Sequence, residues 1–340
     1  MTTVVVVRSE APREIASLSS TGEVLDLSIA CKSVRERIEG ALGGRYNIVY
    51  SDIKSLVGSI RRIEDDIVIL LDPLSLYTDL RTVIDDAVRE YASQASDILV
   101  ATSPPIIARG VNVAVEDSRL AGLGGGFVFA GIVVARRSRL ERLAADEWRT
   151  LLEELEGATV YYVKHPWVRL EKGYDILLYL ILLLASMRSQ TISSEANISP
   201  TAVIEGPVYI EEGVRIDHYA VIKGPAVICR NAFVGLHATV RSFTSLEPGA
   251  RIGAYSEAYV AYIGRNASIS SHVYITGSVV GEEAKIEPFT ATKVVYGKTA
   301  AEKLGLVAPF PWEVRAGAVI ESGARVTAGS VLQPLTRVTR

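Results

Sequence analysis

Three cations in the second half of this sequence could bind an anionic ligand. Arg241, Lys293 and Lys298 lie in a region of regular repeats, and they could hold an anion in a groove shared between subunits. Cations at the corners of a repeat can equally be solvated charges with no ligand, and the sequence leaves that alternative open. We take the three residues as candidate ligand-binding positions.

The histidines and the glycine run show no spacing that defines a site. His218 and His237 fall on repeat positions, where a surface or interface role competes with ligand binding, and His165 has no visible partner. The run Gly122–Gly126 precedes a predicted strand and does not open a helix. Hairpin flexibility therefore competes with phosphate binding at this run.

Composition limits the class of protein and its compartment. Cys31 and Cys229 lie far apart and match no metal-ligand spacing, so we expect free thiols in a reducing compartment, the cytoplasm. With 36 Lys and Arg against 39 Asp and Glu, the charge gives no reason to expect nucleic acid as a partner. The most apolar run, Ile176–Ala185, is much shorter than the roughly 20 residues of a membrane span, so we expect no membrane partner.

The first half of the chain alternates between predicted strands and helices, which is typical of an α/β fold with a mainly parallel sheet. A length of 340 residues, 49% of them hydrophobic, favours two soluble domains. Apolar runs predict strands at Val4–Val7, Ile67–Leu71, Ile98–Ala101, Phe127–Val134 and Thr159–Val163. Helical periodicity predicts helices at Lys32–Leu42, Asp79–Ala92, Ser138–Glu156 and Gly173–Met187.

The second half repeats every six residues from position 198. An aliphatic residue recurs at Ile198, Ile204, Ile210, Ile216, Ile222, Ile228, Val234, Val240, Leu246 and Ile252. A helix repeats at 3.6 residues and a strand at 2, so neither keeps this phase by itself. A chain that turns a corner every six residues does keep it, and three such faces form a triangular coil whose stacking buries the aliphatic residues. A β-sandwich with regular strand spacing is the alternative.

This repeat resembles that of the hexapeptide-repeat acyltransferases and related proteins. The resemblance implies a left-handed parallel β-helix over residues 198–340, and it implies a homotrimer. The segment Gly297–Glu313 leaves the repeat and carries Leu304, Leu306, Val307, Phe310 and Trp312. We expect these apolar residues to pack against a neighbouring subunit.

The first half is similar to the sugar-1-phosphate nucleotidyltransferases, in particular the archaeal bifunctional enzymes related to UDP-N-acetylglucosamine pyrophosphorylase. The matching segments are Ile69–Leu76, Phe129–Val134 and His165–Leu178. This resemblance predicts a nucleotidyltransferase-like α/β domain at residues 1–187. The polar, Ser-rich composition of residues 188–197 predicts a linker after it. The resemblance also implies that Asp72 takes the place of a Mg²⁺ ligand, although an Asp before a proline is often a turn residue.

The departures from that family are chemical. Arg8–Arg13 stands where the family has a glycine-rich phosphate loop, and it has no glycine and places Glu10 near the phosphates. Glu23 lies in the stretch that supplies a phosphate-binding lysine in the family. Arg169 takes the position of the second metal carboxylate, so the partner ligand of Asp72 is missing.

The resemblance to acetyltransferases implies a second candidate site on the β-helix. Tyr274 falls on the family's tyrosine position, while Ser271 takes the histidine position and His272 lies one residue later. If acyl transfer from acetyl-CoA survives, His272 is the candidate base and Tyr274 a supporting donor, because both would share one face of a regular strand.

Two functions remain open from the sequence. The first is a non-catalytic relative that binds a sugar phosphate or nucleotide sugar, or an active paralogue, and serves as a regulatory or assembly subunit. The second is an active transferase that uses Mg²⁺ or acetyl-CoA. The missing phosphate loop and the missing second carboxylate favour the first.

Overall fold

The chain divides into two compact units. The computed structural model describes residues 2–94, 98–104, 109–307 and 314–340. The first unit consists of Met1–Ala11 and Arg35–Glu171, and the second of Pro12–Val34 and Lys172–Arg340. The division therefore differs from the predicted boundary at 187, because residues 12–34 and 172–187 pack with the β-helix.

The first unit is an α/β layer around a mixed sheet. In spatial order, the sheet strands of the described residues are Asn47–Asp52, Thr3–Arg8, Ile67–Leu71, Phe127–Arg136, Ile98–Ser103, Thr159–Tyr162, Arg119–Leu123 and Asn112–Glu116. Phe127–Arg136 runs antiparallel to both of its main neighbours, Ile67–Leu71 and Ile98–Ser103. On the outer side of each neighbour the pairing is parallel, to Thr3–Arg8 and Thr159–Tyr162 respectively. Thr3–Arg8 in turn pairs in parallel with Asn47–Asp52. Ser75–Tyr77 and Trp167–Arg169 form a separate antiparallel pair. This arrangement is the predicted nucleotidyltransferase-like α/β domain, with one central strand reversed.

The helices of this unit surround the sheet. They are Val34–Leu42, Leu56–Ile60, Leu80–Ser93, Arg137–Leu140 and Trp148–Glu154, with a 3₁₀ turn at Ile53–Ser55. Leu80–Ser93 begins where the Asp79 side chain accepts a hydrogen bond from the backbone N–H of Thr82 at 3.1 Å. The single helix predicted at Ser138–Glu156 is wrong. It is two helices, and the Glu154 carboxylate accepts the backbone N–H of Ala144 between them at 3.0 Å.

The second unit is a left-handed parallel β-helix with three flat faces, each a stack of parallel strands. Face 1 contains Thr191–Ile192, Val208–Ile210, Ala226–Ile228, Thr244–Leu246, Tyr262–Ile263, Val279–Val280, Val319–Ile320 and Arg337–Val338. Face 2 contains Asn197–Ile198, Arg215–Ile216, Phe233–Val234, Arg251–Ile252, Ser268–Ile269, Lys285–Ile286 and Arg325–Val326. Face 3 contains Val203–Glu205, Val221–Lys223, Thr239–Val240, Glu257–Tyr259, Tyr274–Thr276, Ala291–Thr292 and Val331–Leu332.

The predicted six-residue repeat forms the core of this unit. Its aliphatic residues point inward, and most are fully buried together with the small residues of the repeat. The predicted linker at 188–197 is wrong, because Thr191–Ile192 and Asn197–Ile198 already pair with the next coil. The polar residues of this segment lie on a solvent-exposed coil. A polar composition is also typical of a linker, so composition did not distinguish the two.

Further elements flank the coils. They are the helices Arg13–Ala16, Gly173–Leu184 and Gly297–Lys303, a 3₁₀ turn at Val24–Asp26, and the paired short strands Ser28–Ile29 with Lys32–Ser33 and Val295–Tyr296 with Arg315–Ala316. In the predicted excursion, Leu304 is buried and Val307 is exposed, whereas Phe310 and Trp312 lie outside the described residues. Among the described residues, no helix combines the length and the apolar character needed to cross a membrane.

Residues Pro12–Val34, here called the strap, run along the corner between faces 1 and 2. The Ser17 carbonyl accepts the backbone N–H of Ser322 at 2.7 Å, and the Ser20 hydroxyl donates to Glu282 at 2.8 Å. Farther along the strap, Cys31 forms a disulfide with Cys229. The prediction of two free thiols is therefore wrong, because residues 198 positions apart in sequence meet when the strap packs on the coils.

Candidate functional site

Asp72 lies at the end of strand Ile67–Leu71 and is completely buried. Its Oδ1 accepts the backbone N–H of Leu74 at 3.0 Å. Its Oδ2 forms an ion pair with Nη1 of Arg169, the last residue of strand Trp167–Arg169 in the separate two-stranded pair. The structure thus brings together the two residues that the resemblance placed at the metal position.

Arg169 is held by two carboxylates. Besides Asp72, its Nε donates to Glu171 at 3.1 Å, and its side chain is only 10% exposed. Burial lowers the pKa of Arg169, but the ion pairs with Asp72 and Glu171 outweigh burial and raise it above the usual value. The guanidinium is therefore a permanent internal cation. Mg²⁺ takes oxygen ligands, and a guanidinium paired with both Asp72 and Glu171 does not fit such a site.

A glycine completes this arrangement. Gly131 has a φ of +85°, and a Cβ there would collide with the Ser75 side chain and approach Cβ of Asp72 to 3.2 Å. Its carbonyl accepts the backbone N–H of Asp72 at 2.8 Å. A glycine inside a strand pattern is a known signal of close backbone approach, so this residue was readable from the sequence.

The segment after the first strand does not form a phosphate loop. Arg8 ends that strand and pairs with Asp52 at 2.9 Å. Glu10 is exposed, and from Pro12 onward the chain belongs to the second unit as the strap. Glu23 also lies on the strap and is exposed. No turn of glycine N–H groups is therefore available after this strand in the described residues to cradle a phosphate.

A basic and aromatic cluster lies on face 3 of the β-helix. The Tyr259 ring has the guanidinium of Arg241 at 4.3 Å from its centroid and that of Arg315 at 4.7 Å. Arg241 also donates to Glu257 at 2.7 Å, and this hydrogen bond, against a smaller effect of burial, raises the pKa of Arg241. We call Arg241, Tyr259, Arg315 and Glu257 the face-3 cluster.

Exposed tyrosines surround the cluster. Tyr274 pairs in register with Glu257, and its side chain is 40% exposed. Tyr296 is 64% exposed and lies 5.9 Å from the Arg315 guanidinium. Planar guanidiniums with adjacent aromatic rings suit a ligand that combines an anionic group with an apolar sugar or base face.

The other two predicted cations are placed differently. Lys293 follows strand Ala291–Thr292 on the same face and is exposed. Lys298 lies on helix Gly297–Lys303, where its side chain is 89% exposed and its Nζ is 3.9 Å from Glu302. Solvation with a weak local ion pair describes Lys298 best.

His272 is in a corner and not on a strand. Its φ of +56° is left-handed, and strand Tyr274–Thr276 begins two residues later. The expectation that His272 and Tyr274 share one face of a regular strand is therefore wrong, because the corner resets the alternation of side chains.

The His272 ring belongs to an exposed stack, here called the aromatic ladder. Its members are Tyr219, His237, Tyr255, His272 and Phe289, with successive ring centroids 4.9 to 5.1 Å apart and interplanar angles of 7 to 19°. Tyr255 and Phe289 cover the two faces of the His272 ring. No described residue donates to or accepts from its imidazole, so the ring lacks the partner that usually orients a general base. Sequence reasoning noted the repeat positions of His218 and His237 but missed the stack.

The comparisons with known proteins agree with the sequence resemblance. The chain is 28% identical over 145 residues to the bifunctional protein GlmU of Jannaschia sp. (strain CCS1), a match that covers 40% of this chain and 32% of GlmU. The predicted resemblance is confirmed. The chain thus spans about a third of the length of this curated relative. No protein-family profile matches this chain.

Two solved structures are also similar to parts of the chain. The inositol-1-phosphate CTP transferase from T. maritima matches with a TM-score of 0.42 and 14% identity, over 53% of this chain and 94% of its own. A mutant of perosamine N-acetyltransferase from Caulobacter crescentus, in complex with CoA and GDP-perosamine, matches with a TM-score of 0.24 and 20% identity, over 31% of this chain and 48% of its own.

Proposed function

We propose that this protein is a non-catalytic relative of the nucleotidyltransferase and acetyltransferase proteins. In this proposal it binds a sugar phosphate or nucleotide sugar on its β-helix and acts as a regulatory or assembly subunit. The observation that carries the loss of nucleotidyl transfer is the ion pair of Asp72 with Arg169. A guanidinium stands there in place of a second metal-binding carboxylate and pairs with both Asp72 and Glu171, which does not suit Mg²⁺ bound together with substrate phosphates.

The face-3 cluster supports the binding part of the proposal. Arg241 and Arg315 flank Tyr259, and Glu257 pairs with Arg241 at 2.7 Å. A phosphate would take hydrogen bonds from the guanidinium planes, while Tyr274 and Tyr296 would stack on a sugar or base. This part of the β-helix therefore has chemistry for a phosphorylated sugar.

A thermal-shift panel of sugar phosphates, nucleotide sugars and acyl-CoAs tests the binding. A ligand at one hundred times its Kd adds about 2.7 kcal/mol to the free energy of unfolding. Arg241→Ala should abolish the shift. Arg251→Ala is the matched control, because Arg251 is also stacked on a ring, that of Phe233 at 4.6 Å, but lies on face 2. An equal loss with both variants, or no shift with any ligand, contradicts the proposal.

Activity assays test the non-catalytic part. We expect no pyrophosphate release from a nucleoside triphosphate with a sugar phosphate and Mg²⁺, and no acetyl-CoA turnover with amino-sugar phosphates. Pyrophosphate release that Asp72→Ala abolishes would show the first half to be active. Acetyl-CoA turnover lost in His272→Ala would restore the acyltransferase alternative.

We also propose that the chain assembles as a homotrimer through the β-helix, or with an active paralogue. Face 3 exposes apolar side chains on its first and last strands, with Val203 at 44% and Val331 at 52% exposure. Burial of these side chains against a neighbouring copy would remove them from water. Sedimentation equilibrium should give three copies per particle, and a compact monomer at micromolar concentration would contradict the trimer.

A further inference from the structure

A completely buried carboxylate lies under the strap. Glu247 follows strand Thr244–Leu246 on face 1 and has no exposed surface. Its oxygens accept hydrogen bonds from the Ser28 hydroxyl at 2.6 Å, the Ala30 N–H at 2.7 Å and the Cys31 N–H at 3.2 Å. All three donors belong to the strap, so this one side chain binds the strap at three points.

The strap makes an unusual turn at this carboxylate. Ala30 and Cys31 have φ values of +48° and +69°, and they join the paired strands Ser28–Ile29 and Lys32–Ser33. Two-residue hairpin turns with both φ values positive favour Asn-Gly, because side chains beyond glycine and asparagine are strained there. The two successive N–H groups of this turn converge on an anion, which is how backbone concavities bind carboxylates. Glu247 therefore stabilises a turn in which Ala30 and Cys31 are by themselves unfavourable residues.

The disulfide is placed on the same turn. It joins Cys31 to Cys229 one coil away from Glu247, and both cysteines are buried. The Cys229 sulfur lies 3.8 Å from Oε2 of Glu247. A covalent and a non-covalent attachment thus meet at Cys31, and Glu247 also binds Ser28 and Ala30 beside it.

We propose that the Cys31–Cys229 disulfide and Glu247 form a two-part, redox-sensitive latch, in which either part alone retains the strap and loss of both releases it. Release uncovers face 1, where the Tyr262 hydroxyl now donates to the Ser28 carbonyl at 2.7 Å. The latch does not depend on the proposed ligand.

The redox step is an exchange with a dithiol. A thiolate of the reductant attacks one sulfur, the bond between Cys31 and Cys229 breaks through a mixed disulfide, and the second thiol of the reductant closes its own disulfide. Both cysteines leave as protonated thiols, and the dithiol is oxidised by two electrons. Because both cysteines are buried, attack requires the turn to open first, so Glu247 should control the rate of reduction.

The first experiment measures that rate with dithiothreitol and thiol-trapping mass spectrometry. Glu247→Gln should accelerate reduction roughly tenfold or more, as expected when a buried charged hydrogen-bond acceptor is lost. Ser28→Ala, which removes one donor and keeps the carboxylate, should accelerate it less. Glu205→Gln is the control, because Glu205 is an exposed carboxylate on face 3. Equal rates in wild type, Glu247→Gln and Ser28→Ala would overturn the proposal.

The second experiment follows hydrogen exchange of the strap amides at residues 18–33 in four states. These are oxidised wild type, Cys31→Ser, oxidised Glu247→Gln and the double variant. We expect the strap to stay protected in the first three and to exchange fully only in the double variant, while strands on face 2 stay protected throughout. Full exchange in Cys31→Ser alone, or protection in the double variant, would overturn the two-part latch. If the double variant does not fold, Cys31→Ser with Ser28→Ala replaces it, and its strap must exchange faster than in either single variant.

Discussion

Asp72 and Glu247 are both carboxylates without exposed surface, but the two units balance their charges in different ways. Asp72 in the first unit faces the guanidinium of Arg169. Glu247 in the second unit faces hydroxyl and amide donors, of which Ser245 at 2.5 Å comes from the coil itself. One unit uses a full countercharge and the other uses oriented dipoles.

The difference distinguishes a carboxylate that is paired with a cation from a carboxylate that holds a remote segment of the chain. Arg169 places a permanent cation against Asp72, and this pairing does not fit a Mg²⁺ site. The Glu247 carboxylate instead holds a segment that is remote in sequence, and its partners are strap atoms. A buried carboxylate is therefore informative about function only through the groups that balance it.

The largest expected effect comes from removing the countercharge. Arg169→Leu leaves the Asp72 carboxylate buried without its cation, so we expect a loss of about 3–5 kcal/mol in the free energy of unfolding. Urea denaturation followed by circular dichroism measures it. Adding Asp72→Asn to Arg169→Leu should recover much of the loss, because the uncompensated charge is gone.

Arg251→Leu serves as the control for that change, because Arg251 is an exposed arginine on the β-helix. We expect it to cost less than about 1 kcal/mol. If Arg169→Leu lowers the free energy of unfolding no more than Arg251→Leu does, the ion pair does not compensate the buried charge of Asp72.

A smaller effect is expected at the dipole-balanced carboxylate. Glu247→Gln keeps the shape of the side chain but replaces an acceptor by an amide that faces other donors. We expect a loss of about 1–3 kcal/mol with the disulfide intact. Differential scanning calorimetry of wild type, Glu247→Gln and Glu205→Gln measures it. Equal stability of all three would show that Glu247 does not stabilise the attachment of the strap.

The periodic parts of this molecule were predictable, whereas the attachment of the strap through Glu247 and the disulfide was not. The inward residues Ile210, Ile228 and Leu246 repeat at a fixed spacing, so a local pattern is enough to place them in the core. The resemblance aligned Asp72 and Arg169 with two metal-ligand positions, although it did not predict the ion pair between them. Each of these signals recurs along the chain or lies within a recognisable segment.

The strap and the aromatic ladder depend on other information. Cys31 meets Cys229 only because a short segment leaves the first unit and packs on distant coils, and no local pattern encodes that choice. His272 was assigned to a strand because the corner geometry was unknown. Its left-handed backbone places the ring in a stack instead. Long-range pairing and corner conformation are the features that a six-residue period does not specify.

The response to pH should show how the environment of Glu247 treats its charge. Burial raises the pKa of Glu247 above its usual 4.5, and hydrogen bonds from Ser245, Ser28 and the backbone oppose this only in part. The folded protein then binds this proton more tightly than the unfolded chain does. The stability from Glu247 is therefore fully present below pH 4.5 and is lost as pH rises through the folded pKa.

The measurement is the free energy of unfolding of wild type minus that of Glu247→Gln, across roughly pH 4 to 8. The difference should fall as pH rises, with a slope of at most about 1.4 kcal/mol per pH unit. A difference that rises with pH would mean that the hydrogen bonds outweigh burial.

The smallest effect is expected at an exposed carboxylate of the first unit. Asp52 accepts from Arg8 at 2.9 Å, much like Asp72 from Arg169, but its side chain is 61% exposed. Water already solvates both partners, and the gain in Coulomb energy is offset by the entropy of holding two side chains. Asp52→Asn should therefore change the free energy of unfolding by about 0.5 kcal/mol or less, and about 0.5 M NaCl should remove most of that change. A loss that approaches that of Arg169→Leu would show that the contact itself, and not its burial, determines the energy of an ion pair in this unit.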